Sequence, residues 1–158
     1  MSARFETPRE ARYFEDYPQG AVFEFGTVTV SADDIVEFAQ RYDPQPFHVD
    51  VAAASQSYFG GLIASGWHTA ALMMRMMVDH YVSSVAGLGS PGVDELRWHA
   101  PVRPGDTLRL RVQVREARRS RADPKRGIIV SFVEVLNQSD VIVLSVKTVS
   151  LIATRAPA

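Results

Sequence analysis

The chain has 158 residues, 46% of them hydrophobic and 22% charged, with a formal net charge of -1 and no cysteine. That balance fits one soluble globular domain over 1–158 and gives no global attraction for nucleic acid or an anionic membrane. The missing cysteines exclude disulfides, thiolate nucleophiles and zinc-thiolate sites.

Residues 1–18 are polar and proline-punctuated, with aromatics at Tyr13, Phe14 and Tyr17. They read as an irregular arm packed by those rings. The start of the chain is charged and has no apolar h-region, so the expected location is cytoplasmic, with no secretory signal. Residues 21–30 alternate partly and follow Gly20, which predicts a strand. Ser31 and Asp34 form a capping-box pair, and Ile35, Phe38 and Ala39 fall at i, i+3, i+4. That is a helix with one buried stripe.

The helix delivers the chain to Asp43-Pro44-Gln45-Pro46-Phe47-His48. An acid and an imidazole stand five positions apart. In a helix they would diverge by about 140°, and in a strand they would face opposite sides. They converge only if the backbone is neither, and two prolines in four residues push it that way. One reading is a loop that brings a carboxylate beside a histidine for acid–base chemistry. The other is a polar turn with an incidental histidine.

Asp50 caps a short helix through Ala54, and 58–61 form a hinge-like connection. Residues 64–84 then predict a long helix of about 30 Å, apolar on most faces of its first half. Ser65, His68 and Arg75 interrupt the apolar run, so it suits a protein interior and not a lipid span. Met73, Met74, Met76 and Met77 read as adaptable core filler. Strands are predicted over 93–102 (Val93, Leu96 and Trp98 inward by parity), 107–117, 128–137 and 141–154. In the second of these, Leu108, Leu110, Val112 and Val114 alternate strictly with polar residues. The fold class is α+β: a curved antiparallel sheet wrapped around one long helix. No His/carboxylate set has metal-ligand spacing, so no metal is expected.

At three places the residues resemble the MaoC-like, (R)-specific enoyl-CoA hydratases, which have the hotdog fold. Asp43-Pro44-Gln45-Pro46-Phe47-His48 is similar to the D-x-N-P-x-H signature. Ile63-Ala64-Ser65-Gly66-Trp67 looks like the entry into the hotdog helix. Trp98-His99-Ala100-Pro101-Val102-Arg103-Pro104-Gly105-Asp106 looks like the strand-turn segment that follows. The resemblance spans about 20–153. It implies a lyase that hydrates a 2-enoyl-CoA to a 3-hydroxyacyl-CoA in fatty acid metabolism. It further implies an acyl-CoA substrate, no separate cofactor, and a homodimer or dimer of dimers.

By the same resemblance Asp43 and His48 are the catalytic pair. Gly66 and Ser65 belong to the oxyanion and substrate-binding segment, with the Gly66 N–H facing the thioester oxygen. Gln45, Phe47, Trp67 and His68 are candidates for the acyl pocket. Gln45 is one methylene longer than the usual Asn, and Met74 stands where some relatives carry a Ser. Two residue-level alternatives stay open: Gly66 also suits tight packing, and His68 also suits a hydrogen-bonded core position. His99 is expected to face outward. The basic run Arg115, Arg118, Arg119, Arg121, Lys125 and Arg126 reads as a solvated hairpin tip sooner than a coenzyme A phosphate contact. Competing functions are a hotdog acyl-CoA thioesterase, for which Asp79 and Asp43 are the nearby acids, and a non-catalytic acyl-thioester-binding subunit.

Overall fold

The computed structural model describes residues 1–155. Five strands form one antiparallel sheet: β1 (Val22–Thr29), β2 (Gly92–Trp98), β3 (Thr107–Arg119), β4 (Arg126–Leu136) and β5 (Ile142–Ala153). Their order is β1-β3-β4-β5-β2, so the second strand in sequence closes one edge by pairing with the last. The ladder β3–β4 runs from Arg109 opposite Leu136 to Arg119 opposite Gly127. The strict alternation in β3 is realised. Leu108, Leu110, Val112 and Val114 are fully buried, each side chain worth about 1.5–3 kcal/mol of apolar burial.

Register shifts interrupt all four ladders, and two of them bear on the site. One lies between Phe25 and Val28, where Gly26 takes φ +81°. A Cβ there would stand 2.6 Å from Met76 Sδ, so the position needs glycine for both its backbone and its neighbour. The other lies between Asp94 and Arg97, with Glu95 at φ 54°. It breaks the alternation of β2. The inward assignment of Val93 is therefore corrected: it is 53% exposed, whereas Leu96 is half-buried and Trp98, although 45% exposed, turns its ring toward Gly66. The strand also stops at Trp98, four residues short of the expected end.

Among the described residues there are four α-helices, α1 (Ala32–Tyr42), α2 (Pro46–Val49), α3 (Val51–Gln56) and α4 (Gly66–His80), and two short 3-10 turns in the N-terminal arm. The Ser31 hydroxyl accepts the Asp34 N–H at 3.0 Å and the Asp34 carboxylate accepts the Ser31 N–H, which starts α1 as the capping box predicts. Asp50 caps α3 through the Ala53 N–H at 3.0 Å.

The central helix α4 is shorter than the 64–84 expectation. Its 15 residues span about 22 Å. It ends because side chains take its last carbonyls. Arg12 Nη1 donates to His80 O at 3.0 Å and Tyr81 O at 2.9 Å, and the Tyr17 hydroxyl donates to Tyr81 O at 2.8 Å. Met73, Met76 and Met77 join the core where α4 meets β1 and β3, whereas Met74 is exposed and is not core filler. The N-terminal arm packs by its rings as predicted: Tyr17 is buried, and Tyr13 and Phe14 pack against the core; Phe5, which was not singled out, stacks on Phe23 at 4.0 Å. A sheet curved around one helix is the hotdog architecture. Among the described residues no helix is long and apolar enough to cross a membrane.

Candidate active site

The site is assembled where α1 ends. The Asp43 N–H donates to Ala39 O at 2.8 Å, closing the helix, and Pro44 prevents a further turn. Asp43 takes φ -153°, ψ 68°. Pro46 then opens the one-turn helix α2 at a position suited to proline, and His48 lies within it. The loop is thus half as irregular as its spacing predicts. The acid sits on a non-helical residue, the imidazole on a helical turn, and the Pro44–Gln45 link folds one back on the other. His48 Nε2 lies 3.3 Å from Asp43 Oδ2.

Each member of the pair is held from a second direction. His48 is buried, and its Nδ1 is 2.8 Å from the Ile63 carbonyl. A carbonyl only accepts, so Nδ1 carries a hydrogen and Nε2 of the neutral ring presents a lone pair to the carboxylate side. Asp43 Oδ1 accepts from Gln45 Nε2 at 2.7 Å, and Oδ2 accepts from the Ser65 hydroxyl at 2.7 Å. Gln45 therefore closes the loop's internal hydrogen bond in spite of its extra methylene. Burial pushes the Asp43 carboxyl up, but the Ser65 and Gln45 donors and the nearby His48 outweigh it and hold the group below the usual carboxylate range.

The segment 61–65 is stitched between the two walls. The Ile63 N–H donates to Phe47 O at 3.2 Å and the Ala64 N–H to Val102 O at 2.8 Å. This brings 98–102 across from the 43–48 loop and leaves a cleft of about 460 Å³. Asp43, Gln45, Phe47, His48, Gly66 and Trp67 all line it. Ser65 does not; it is fully buried behind Asp43. His68 does not either. Two residues beyond Gly66 it has turned about 200° around α4. It stacks on Phe38 at 4.7 Å, in a separate groove beside Asp34 and Arg41, and its buried Nδ1 has no hydrogen-bond partner among the described residues. Both the acyl-pocket reading and the hydrogen-bonded core reading of His68 are corrected. Burial lowers its pKa, against the pull of Asp34.

Gly66 opens α4, and among the described residues its N–H meets no acceptor. The packing explanation also holds there. A Cβ on Gly66 would stand 2.5 Å from Trp98 Cε2, and Trp98 Nε1 donates to Gly66 O at 2.8 Å. The parity reading missed Trp98 and His99 as cleft residues. His99 Nε2 pairs with Ser145 Oγ at 2.6 Å. Phe59 and Thr69 also line the cleft without any sequence signal that singled them out. None of the six residues of the basic run does so; Arg118 pairs with Glu116, and Arg119 with Glu15. Among the described residues no three His, Asp or Glu side chains gather in a way that could hold a metal ion.

Comparison with known proteins agrees with the fold. Residues 16–135 match the model of the MaoC like domain. The crystal structure of a MaoC-like dehydratase from Rhodospirillum rubrum superposes with a TM-score of 0.85 at 36% identity, covering 92% of this chain and 99% of that one. An uncharacterised Bacillus subtilis protein, YdeM, is 32% identical over 130 residues, 80% of this chain and 89% of that protein. A 3-hydroxybutyryl-CoA dehydratase from Methylorubrum extorquens is 34% identical over 111 residues, 66% of this chain and 64% of that protein.

Proposed function

Because the chain belongs to the MaoC-like domain family, we propose that it is a hydro-lyase acting on 2-enoyl-CoA and 3-hydroxyacyl-CoA thioesters. The observation that carries this reading is the oriented pair: His48 Nε2, with its tautomer set by Ile63, 3.3 Å from a doubly anchored Asp43 carboxylate. Two acceptors at that separation can share one water, each taking one of its hydrogens. The water oxygen attacks C3 as its proton passes to Nε2. The π pair moves onto the thioester oxygen, which the Gly66 N–H and the positive end of α4 stabilise. The enolate then collapses, and C2 takes the proton from Nε2. Asp43 keeps its charge throughout and stabilises the transient imidazolium. Dehydration runs the same steps backwards.

A coenzyme A thioester is the substrate form we favour, in keeping with the name of the Methylorubrum relative. The scheme uses no further cofactor. We also propose a homodimer. Trp67, Met74 and Val78 leave an apolar strip exposed on α4, and Val93 and Trp98 add to it from β2, whose outer edge has no strand beside it. Sedimentation should give twice 17.5 kDa at micromolar concentration. A purely monomeric species would remove this part.

The deciding assay is crotonyl-CoA with two readouts. Loss of the conjugated enone absorbance without free thiol supports the hydro-lyase. Thiol release would mark a thioesterase, and binding without either change would mark an acyl-thioester-binding subunit.

A further inference from the structure

Ser65 was expected among the substrate-binding residues, yet it lies outside the cleft and is fully buried. Its hydroxyl is engaged on both sides. The oxygen accepts the Trp67 N–H at 3.3 Å, as the N-cap of α4, and its hydrogen goes to Asp43 Oδ2 at 2.7 Å. A hydroxyl has one hydrogen to give, so none remains for a ligand. The oxygen it meets is the one 3.3 Å from His48 Nε2, whereas Gln45 holds the other. Two donors at the two oxygens fix the rotation of the carboxylate about its last bond.

We propose that Ser65 is a positioning residue for Asp43: its hydroxyl, polarised by the second amide of α4, aims the carboxylate at the water that His48 deprotonates. The inference rests on the hydration reading above. It divides the first amides of α4 between two tasks. The Gly66 N–H is left for the thioester oxygen, and the Trp67 N–H acts on the general-base side through Ser65. One helix terminus thereby supports both charges of the reaction. The hydrogen bond from Ser65 is also among the forces that keep the Asp43 carboxyl below its usual range.

The cap and the clamp can be separated, because glycine is nearly as good an N-cap as serine but has no hydroxyl. The test uses Ser65→Gly, Ser65→Ala and Ser65→Thr, with three readouts: thermal melting, kcat and KM taken separately, and the Asp43 carboxyl titration followed by NMR on 13C-labelled aspartate. In Ser65→Gly the melt should stay near wild type. The Asp43 midpoint should move to higher pH, by about one unit, and kcat should fall about tenfold with KM unchanged, the size expected for one hydrogen bond to a charged group. Ser65→Thr, which keeps the hydroxyl, should return both midpoint and kcat to the wild-type values. An Asp43 midpoint unmoved in Ser65→Gly and Ser65→Ala would overturn the proposal. A moved midpoint with an unmoved kcat would overturn its catalytic part. If the wild-type protein hydrates no enoyl-CoA while the NMR midpoint still moves, the functional reading falls and the clamp stands.

Discussion

The two ends of α4 treat their free backbone groups in opposite ways. At the C-terminal end the carbonyls are closed off by protein. Arg12 takes His80 O and Tyr81 O, Tyr17 takes Tyr81 O, and Arg9 takes Asp79 O at 3.1 Å and Val82 O at 3.3 Å. Phe5, Tyr17, Phe23 and Tyr81 pack around these bonds, and Arg12 lies 3.5 Å over the Phe5 ring. At the N-terminal end the Gly66 N–H meets no acceptor among the described residues, and Gly66 lines the cleft together with His48 and Asp43. Helix ends carry unpaired groups by construction. Where the protein satisfies them it gains rigidity, and where it leaves them directed into a cleft it gains a binding site.

The largest expected effect is on the open end. Asp43→Asn and His48→Ala should each lower kcat about 10²–10⁴-fold, the usual worth of acid–base catalysis, with cooperative melting retained. Wild-type rates in both variants would remove the site assignment. The sealed end should respond in the opposite sense. Arg12→Ala takes the donors from Thr7 O and His80 O and leaves Tyr81 O with Tyr17 alone, at about 1–3 kcal/mol for each carbonyl left unpaired, so urea unfolding should shift strongly while kcat/KM of the folded protein stays put. A slow but fully stable Arg12→Ala would show that the two ends are not separable.

A third effect sits on the open end yet should read out mainly as stability. Gly66→Ala places a methyl against Trp98, and overpacking of this kind costs about 1–3 kcal/mol. Adding Trp98→Ala to it should recover part of the loss. A double-mutant cycle without coupling would mean that the ring moves aside freely.

The smallest effect is on pH. The Asp43 carboxyl titrates lower in the folded protein than the ordinary value of about 4. A depressed pKa contributes stability that is present above the unfolded value and is lost as pH falls through the folded one. The unfolding free energy of the wild type, compared with Asp43→Asn, should therefore decline below about pH 4. A constant difference across that range would contradict the depressed pKa.

Much of this was legible in the sequence because it is local. The capping box of Ser31 and Asp34, the alternation of β3 and the Asp43–His48 spacing each depend on residues within a few positions of one another. What stayed hidden depends on partners far along the chain. The end of α4 is set by Arg12 and Tyr17, more than sixty positions upstream, so a pattern read along the helix ran past it. The parity of β2 failed for Val93 at a bulge that no residue in the strand announces, and nothing along the strand marked Trp98 or His99 as cleft residues. Ser65 carried a signal, a serine before a helix, but its second bond to Asp43 is twenty-two positions away and needs the fold to be seen.

The sheet order has a consequence for how the protein comes to be active. Within the sheet β2 pairs only with β5, so the wall that β2 and the following residues form has no ladder to join until the final strand arrives. Closing that long a loop makes the event a late one in folding. Both of the chain's tryptophans, Trp67 and Trp98, meet edge to face at 5.1 Å beside this wall. Intrinsic fluorescence during refolding therefore watches the cleft itself being closed, and its slowest phase should run in step with the return of activity.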